Sequence, residues 1–317
     1  MTPPGQVRHL LSLDDLEPAQ FHALLDSAEQ FLKTGRPLVG PLQGRIVASI
    51  FFEPSTRTRV SFEIAARRLG ADLVNLDVMC SSRKKGEADR DTLSTLAAMG
   101  ASIFILRTGV AGLPAELAGH LAPDCGLISA GEAEFAHPTQ GLLDMLTIRQ
   151  HKPDTDKLRV AIVGDIAHSR VARSAVRGLR LMGISDIRLI GPESFLPDDG
   201  EMPGTFQGND LASGIDGADV VMALRIQRER MKLAEMPESA DYFQRFGLTE
   251  KKLAALAPDA IVMHPGPINR GIELDDEVAD GPRSVIREQV RNGVAVRMAV
   301  LTTVANSLAE SDRAGRA

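Results

Sequence analysis

Apolar positions along this chain fall into two alternating rhythms. Short continuous runs recur at Val47-Ala48-Ser49-Ile50-Phe51-Phe52, Ser102-Ile103-Phe104-Ile105-Leu106, Val160-Ala161-Ile162-Val163, Ile187-Arg188-Leu189-Ile190, Asp219-Val220-Val221-Met222 and Ala260-Ile261-Val262-Met263. Runs of this length and composition predict strands buried on both faces. Between them the apolar residues take helical spacing. Phe62, Ala65, Ala66 and Leu69 form an i, i+3, i+4, i+7 stripe, and Ala172, Ala175, Val176 and Leu179 repeat it. Strand and helix alternating in this way predict an α/β fold of mainly parallel sheets flanked by helices.

The pattern divides near its middle. Pro138 to Gln150 reads as a helix, His151-Lys152-Pro153-Asp154-Thr155-Asp156 is polar and carries a proline, and a second strand series starts at Arg159. A last apolar helix, Val294 to Leu308, is placed to pack back on the first half, and the polar, small-residue tail Glu310 to Ala317 is expected to fray. The expected organisation is two domains, residues 1–150 and 151–293, with a C-terminal helix of about 294–317 returning to the first.

Composition narrows the function classes. A net charge of -6, from 36 basic and 42 acidic side chains, offers no bulk attraction to nucleic acid or to an anionic membrane. An anion site must therefore be built locally. Two cysteines, Cys80 and Cys125, are too few for a disulfide framework or a Cys-based zinc site and suit a reducing cytoplasm. The first twenty residues lack a signal-peptide core, and no apolar run of about 18 residues occurs, so a cytoplasmic location and no membrane span are expected.

The richest chemistry lies at Phe51-Phe52-Glu53-Pro54-Ser55-Thr56-Arg57-Thr58-Arg59. An apolar strand ends, proline breaks it, and hydroxyl and guanidinium groups fall where a helix begins. Ser55 or Thr56 can cap that helix while its backbone N–H groups point outward. The positive end of the helix, three hydroxyls and Arg57 together suit a phosphate. An ordinary capped helix with solvated arginines would show some of these residues; finding all of them directly after a buried strand favours the anion site.

Ser55-Thr56-Arg57-Thr58-Arg59 after a strand resembles the carbamoyl-phosphate motif of the aspartate and ornithine carbamoyltransferases. His137-Pro138-Thr139-Gln140, Gly164-Asp165-Ile166-Ala167-His168-Ser169-Arg170 and His264-Pro265-Gly266-Pro267 follow in that family's order and intervals, and similar positions run from about Leu11 to the C-terminal helix. The resemblance implies that residues 1–150 bind carbamoyl phosphate and 151–293 the amino acid. It implies that Ser55, Thr56, Arg57, Thr58 and Arg107 hold the phosphate, and that His137, Thr58 and Arg107 donate to the carbonyl oxygen. Gln140 and the Pro265 and Gly266 carbonyls, in the turn closed by Pro267, would accept from the carbamoyl NH2 group. Many relatives have leucine in place of Gly266; backbone carbonyls should tolerate the change. No cofactor and no metal are implied. The bland readings are a surface arginine at a strand end for Arg107 and an unremarkable His-Pro dipeptide for His137.

The acceptor is read from the second half. Two carboxylates on aspartate call for fixed cations, and Arg170, Arg225 and Gln227 match aspartate-binding positions, with bidentate arginine–carboxylate pairing as the chemistry. Alone, Ala223 to Arg230 would pass for a solvated helix of mixed charge. Ornithine enzymes typically show His-Cys-Leu-Pro and a Ser-Met-Gly loop, and this chain has neither. The basic segment Ser81-Ser82-Arg83-Lys84-Lys85-Gly86-Glu87 would by itself be a solvated loop. By resemblance, Ser81 and Lys85 reach the active site of a neighbouring subunit, which implies a homotrimer with shared sites. A separate regulatory or dihydroorotase-type chain is compatible with the resemblance.

Two other classes compete. Val160-Ala161-Ile162-Val163-Gly164 resembles the start of a dinucleotide loop, but Asp165 follows where glycine spacing is needed and an acid would repel pyrophosphate. A catalytically silent scaffold is the non-enzyme alternative; every catalytic position that can be placed carries the residue expected of an active enzyme.

Overall fold

The structure is a computed structural model that describes residues 7–34, 40–76, 86–227 and 239–314. It separates into two compact units, Met1–Leu142 with Arg291–Ala317, and Leu143–Val290. Each is built on its own five-stranded parallel sheet flanked by helices, as the alternation of strand and helix patterns predicts.

The sheet of the first unit contains β1 (His9–Leu10), β2 (Ile46–Phe51), β3 (Asp72–Leu76), β4 (Ala101–Thr108) and β5 (Gly126–Glu132), in the spatial order β1-β5-β4-β2-β3. Val47, Ile50, Ile103, Phe104, Ile105 and Leu106 are fully buried, which is why these strands read as unbroken apolar runs. Helix α2 (Thr56–Arg68) follows β2 and buries the predicted stripe of Phe62, Ala65, Ala66 and Leu69. The chain turns to opposite sides of the sheet after β2 and β4, so the carboxyl ends of these neighbouring strands form its topological switch point. In open α/β sheets a crevice opens at that point, and ligands bind there.

The second sheet repeats the plan. Its strands are β6 (Arg159–Val163), β7 (Asp186–Ile190), β8 (Phe206–Gly208), β9 (Val220–Ala223) and β10 (Ile261–Met263), ordered β10-β9-β6-β7-β8. Here the switch point lies between β6 and β9. Helix α6 (Arg170–Leu181) follows β6, buries Ala172, Ala175, Val176 and Leu179, and is capped by Ser169, whose hydroxyl accepts from Ala172 N.

Helix α5 (Pro138–His151) starts with proline at its first position, where the missing N–H costs nothing. The C-terminal helix, α11 (Ile286–Ala314), returns to the first unit as expected. Ser307 Oγ accepts from Val7 N at 2.9 Å, and the Arg297 guanidinium lies 5.1 Å from the Phe62 ring centroid. One expectation needs correction. The helix begins at Ile286 rather than Val294; its polar first turns do not register as an apolar pattern. It continues through Ala314, and residues 315–317 of the tail lie outside the described residues.

Candidate active site

In the first unit the anion-suited residues gather at the β2/β4 switch point. Phe51 pairs with Arg107 across the two strands, and Phe52 N donates to Arg107 O at 2.9 Å. Strand pairing thus sets Arg107 beside the chain segment that runs into α2. The Arg107 side chain, 12% exposed, places Nε 3.5 Å from Glu53 Oε2 and donates from Nη1 to Ala130 O at 3.2 Å. Glu53 lies within the quoted motif, but nothing in its local pattern marks it as the arginine's partner. A charged residue in a polar turn reads as solvent-facing until the neighbouring strand is placed.

Ser55 occupies the N-cap position of α2 in extended conformation, but its hydroxyl makes no capping hydrogen bond. The capping expected of it is therefore absent, and the helix start keeps the partial positive charge that favours an anion. Thr56 and Arg57 are exposed, whereas Thr58 is buried. The Thr58 hydroxyl lies 3.5 Å from His137 Nε2. His137 immediately precedes α5, and its carbonyl accepts from Gln140 N at 2.9 Å and Gly141 N at 3.1 Å. Gln140 is buried one turn into the same helix. The turn that delivers His137 leaves β5 through Ala133, which takes φ of 39°, a left-handed conformation uncommon for a residue with a side chain.

In the second unit, residues from two segments meet at the β6/β9 switch point. Gly164 follows β6 with φ of 131°; a Cβ there would stand 2.9 Å from Leu224 O, so glycine lets the chain after β9 approach. Asp165 is fully buried. Its Oδ1 meets His168 Nδ1 at 2.8 Å, and its Oδ2 accepts from Gln227 N at 3.3 Å. Burial pushes the Asp165 carboxyl above the usual carboxylate range, opposed by the hydrogen bonds from His168 and Gln227. Arg170 opens α6 and is buried, while Arg225 and Gln227 are half-buried in irregular chain directly after β9.

The His264–Pro267 turn is anchored from within. His264 N donates to Gln289 Oε1 at 2.9 Å, and Gln289 Nε2 donates to Asp144 Oδ1 at 2.7 Å. Gly266 takes φ of 66°, so glycine suits this position where a leucine would be strained. Pro265 and Gly266 are half-buried and Pro267 is exposed. Ser81 and Lys85 lie outside the described residues. Among the described residues, no helix is long and apolar enough to cross a membrane.

Two doubly wound sheets, the first carrying cationic and hydroxyl groups at its switch point and the second arginines, define a two-unit α/β protein equipped to bind anionic groups. Family models agree. Residues 8–150 match the carbamoyl-P binding domain of aspartate/ornithine carbamoyltransferase, and residues 156–304 match its Asp/Orn binding domain. Among solved structures, aspartate transcarbamoylase from Trypanosoma cruzi with carbamoyl aspartate and phosphate is 28% identical, at a TM-score of 0.83 over 94% of this chain and 96% of that one. Ornithine carbamoyltransferase from Thermus thermophilus is equally similar, with 28% identity and a TM-score of 0.82 over 94% and 99%. The same enzyme from Gloeobacter violaceus reaches 30% identity with a TM-score of 0.78 over 94% and 99%. The chain belongs to the aspartate/ornithine carbamoyltransferase family. Its reaction is carbamoyl transfer from carbamoyl phosphate to aspartate or ornithine.

Proposed function

We propose that the acceptor is L-aspartate and that the products are N-carbamoyl-L-aspartate and phosphate, an early step of pyrimidine synthesis. The observation that carries this reading is the state of two carboxylates bonded to the segment of Arg225 and Gln227. Asp165 and Glu273 are both buried, and both accept from backbone N–H groups of that segment. An ornithine side chain needs an accessible acid, and these two are turned inward. The side chains offered by the segment, Arg225 and Gln227, suit a carboxylate instead. The lack of His-Cys-Leu-Pro and Ser-Met-Gly points the same way.

In this reading the first unit binds carbamoyl phosphate through Ser55, Thr56, Arg57, Thr58 and Arg107. His137, Thr58 and Arg107 face the carbonyl oxygen, and Gln140 with the Pro265 and Gly266 carbonyls, next to Pro267, takes the NH2 group. Arg170, Arg225 and Gln227 hold aspartate, joined by Ser81 and Lys85 of a neighbouring subunit in a homotrimer. The neutral aspartate amine attacks the carbonyl carbon, a C–N bond forms, and the C–O bond to phosphate breaks. The departing phosphate takes the amine proton, so the protein's part is to position both substrates and to stabilise charge on the carbonyl and phosphate oxygens. No cofactor enters this scheme.

The test is transfer from labelled carbamoyl phosphate to aspartate, to ornithine and to water. Carbamoyl aspartate is the expected product. Preferential labelling of ornithine would overturn the assignment.

A further inference from the structure

Glu273 is absent from every substrate contact assigned above, yet it ties together two segments that carry them. It is 2% exposed and lies between the His264–Pro267 turn and the short helix α10 (Asp276–Asp280). Its Oε1 accepts from Ile226 N at 3.1 Å and from Asn269 Nδ2 at 2.7 Å, and its Oε2 accepts from Asn269 N at 2.7 Å. The same Oε2 lies 4.0 Å from His264 Nε2.

The histidine's tautomer follows from a neighbouring bond. Gly266 N–H donates to His264 Nδ1 at 2.8 Å. A backbone N–H can only donate, so Nδ1 carries the lone pair and the neutral ring holds its proton on Nε2, the nitrogen that faces Glu273. One carboxylate therefore holds the amide that follows Arg225 and both nitrogens of Asn269, and it faces the side of His264 opposite the Gly266 turn. Asp165 holds the next amide, Gln227. Consecutive N–H groups of the 225–227 segment thus end on two different buried acids, and of these Glu273 also reaches the 264–269 turn.

A buried carboxylate is expensive to keep, and burial pushes Glu273 above the ordinary range. A segment that needed only filling would accept an apolar side chain. What the carboxylate adds is direction: it accepts three N–H bonds from two loops at once and fixes their spacing.

We propose that Glu273 is a positioning residue for the amino-acid half of the reaction, setting Arg225 and Gln227 in register with the Pro265–Pro267 turn; this deepens the roles proposed above for those residues and rests on them. Glu273→Gln keeps the shape and one acceptor oxygen but turns a donor toward one of the N–H groups now served. The loops then shift without emptying the core.

The acceptor is first established with the wild-type protein on aspartate and ornithine, so a wrong acceptor is seen before any variant is read. Glu273→Gln is then compared using whichever amino acid is carbamoylated. With the folded state confirmed by circular dichroism, KM for that amino acid should rise about 10- to 100-fold, as expected for misplaced binding groups. Phosphate affinity measured by calorimetry should stay within about two-fold of wild type, and part of the lost rate should return at high amino-acid concentration. If Glu273→Gln does not fold, Asn269→Ala, which removes one of the three donors and leaves the charge, should raise the same KM by a smaller factor. An unchanged amino-acid KM in the folded variant, or a phosphate affinity that falls in step with it, would overturn the proposal.

Discussion

Thr58 Oγ1 and His137 Nε2 stand 3.5 Å apart although 79 residues separate them in the chain. One sits in the first turn of α2 and the other just before α5, and both side chains are buried. The two groups face each other where helices enter from β2 and from β5. Such a pair suits one oxygen held between two donors. Replacing Thr58 with valine removes the hydroxyl while leaving a side chain of similar outline. The loss of one transition-state donor should lower kcat by about 10²- to 10³-fold, equivalent to ~3–4 kcal/mol. Steady-state assays on a variant with wild-type circular dichroism decide this: a kcat within about two-fold of wild type would remove Thr58 from the carbonyl site.

Arg225 belongs to the second unit, and its proposed partner is a carboxylate of the amino acid. Arg225→Ala should raise the aspartate KM strongly while carbamoyl phosphate binds almost as before. Arg225→Lys should rescue little, because a point charge replaces a planar fork that can make two parallel bonds. Calorimetry with carbamoyl phosphate or phosphate separates the effects. Equal loss of affinity for both substrates would end the division of labour between the two units.

The contrast between legible and hidden features has a physical basis. Strands such as Arg159–Val163 are buried on nearly every residue, so their composition alone announces them. Asp72–Leu76 lies at a sheet edge with no fully buried position, and its mixed pattern hides it from the same reading. Gly126–Glu132 is buried but built partly of glycine, serine and alanine, which interrupt the apolar run. The early turns of α11 escape notice because Gln289 and Asn292 are buried polar residues, and apolar periodicity does not register them. At the site, residues in ordered motifs such as Ser55–Thr58 are legible. Asp165 and Glu273 are not, since an acid in a polar turn becomes a buried acceptor only when distant backbone N–H groups reach it.

Acid should weaken the fold through His9. Leu127 N donates to His9 Nδ1 at 3.1 Å, and burial, helped by the adjacent Arg8, pushes the imidazole down to about 4 from 6.5. The folded protein keeps this ring neutral where the unfolded chain protonates it. With more protons bound to the unfolded state, stability rises with pH across that window. The contribution is fully present above about 6.5 and is lost as pH falls toward 4. His9→Asn offers an amide oxygen to the same N–H and does not titrate. Urea unfolding at pH 7 and pH 5 should therefore show a smaller drop in midpoint for His9→Asn than for the wild type. Equal drops would mean that other groups set the acid response. Asp165 and Glu273 act in the opposite sense: burial raises both, so their contribution to stability declines as pH rises through their elevated range.

The shared-site proposal allows a complementation test. Arg57 is exposed at the start of α2, so Arg57→Ala should leave stability within about 0.5 kcal/mol of wild type while removing a phosphate ligand. If Lys85 serves a neighbour's site, Arg57→Ala and Lys85→Ala damage opposite sides of each interface. A trimer made wholly of either variant then has three damaged sites and should be nearly inactive. In a cyclic trimer of both, whichever variant is in excess, one interface joins two undamaged surfaces. Random reassembly of equal amounts gives about three-quarters mixed trimers with one working site in three, so roughly a quarter of all sites recover. The two variants are dissociated, mixed, reassociated and assayed for carbamoyl aspartate against each variant treated alone. Recovery near that fraction places Lys85 across the interface from Arg57. With mixed trimers verified by mass, the absence of any gain would put Lys85 in its own subunit's site or outside every site.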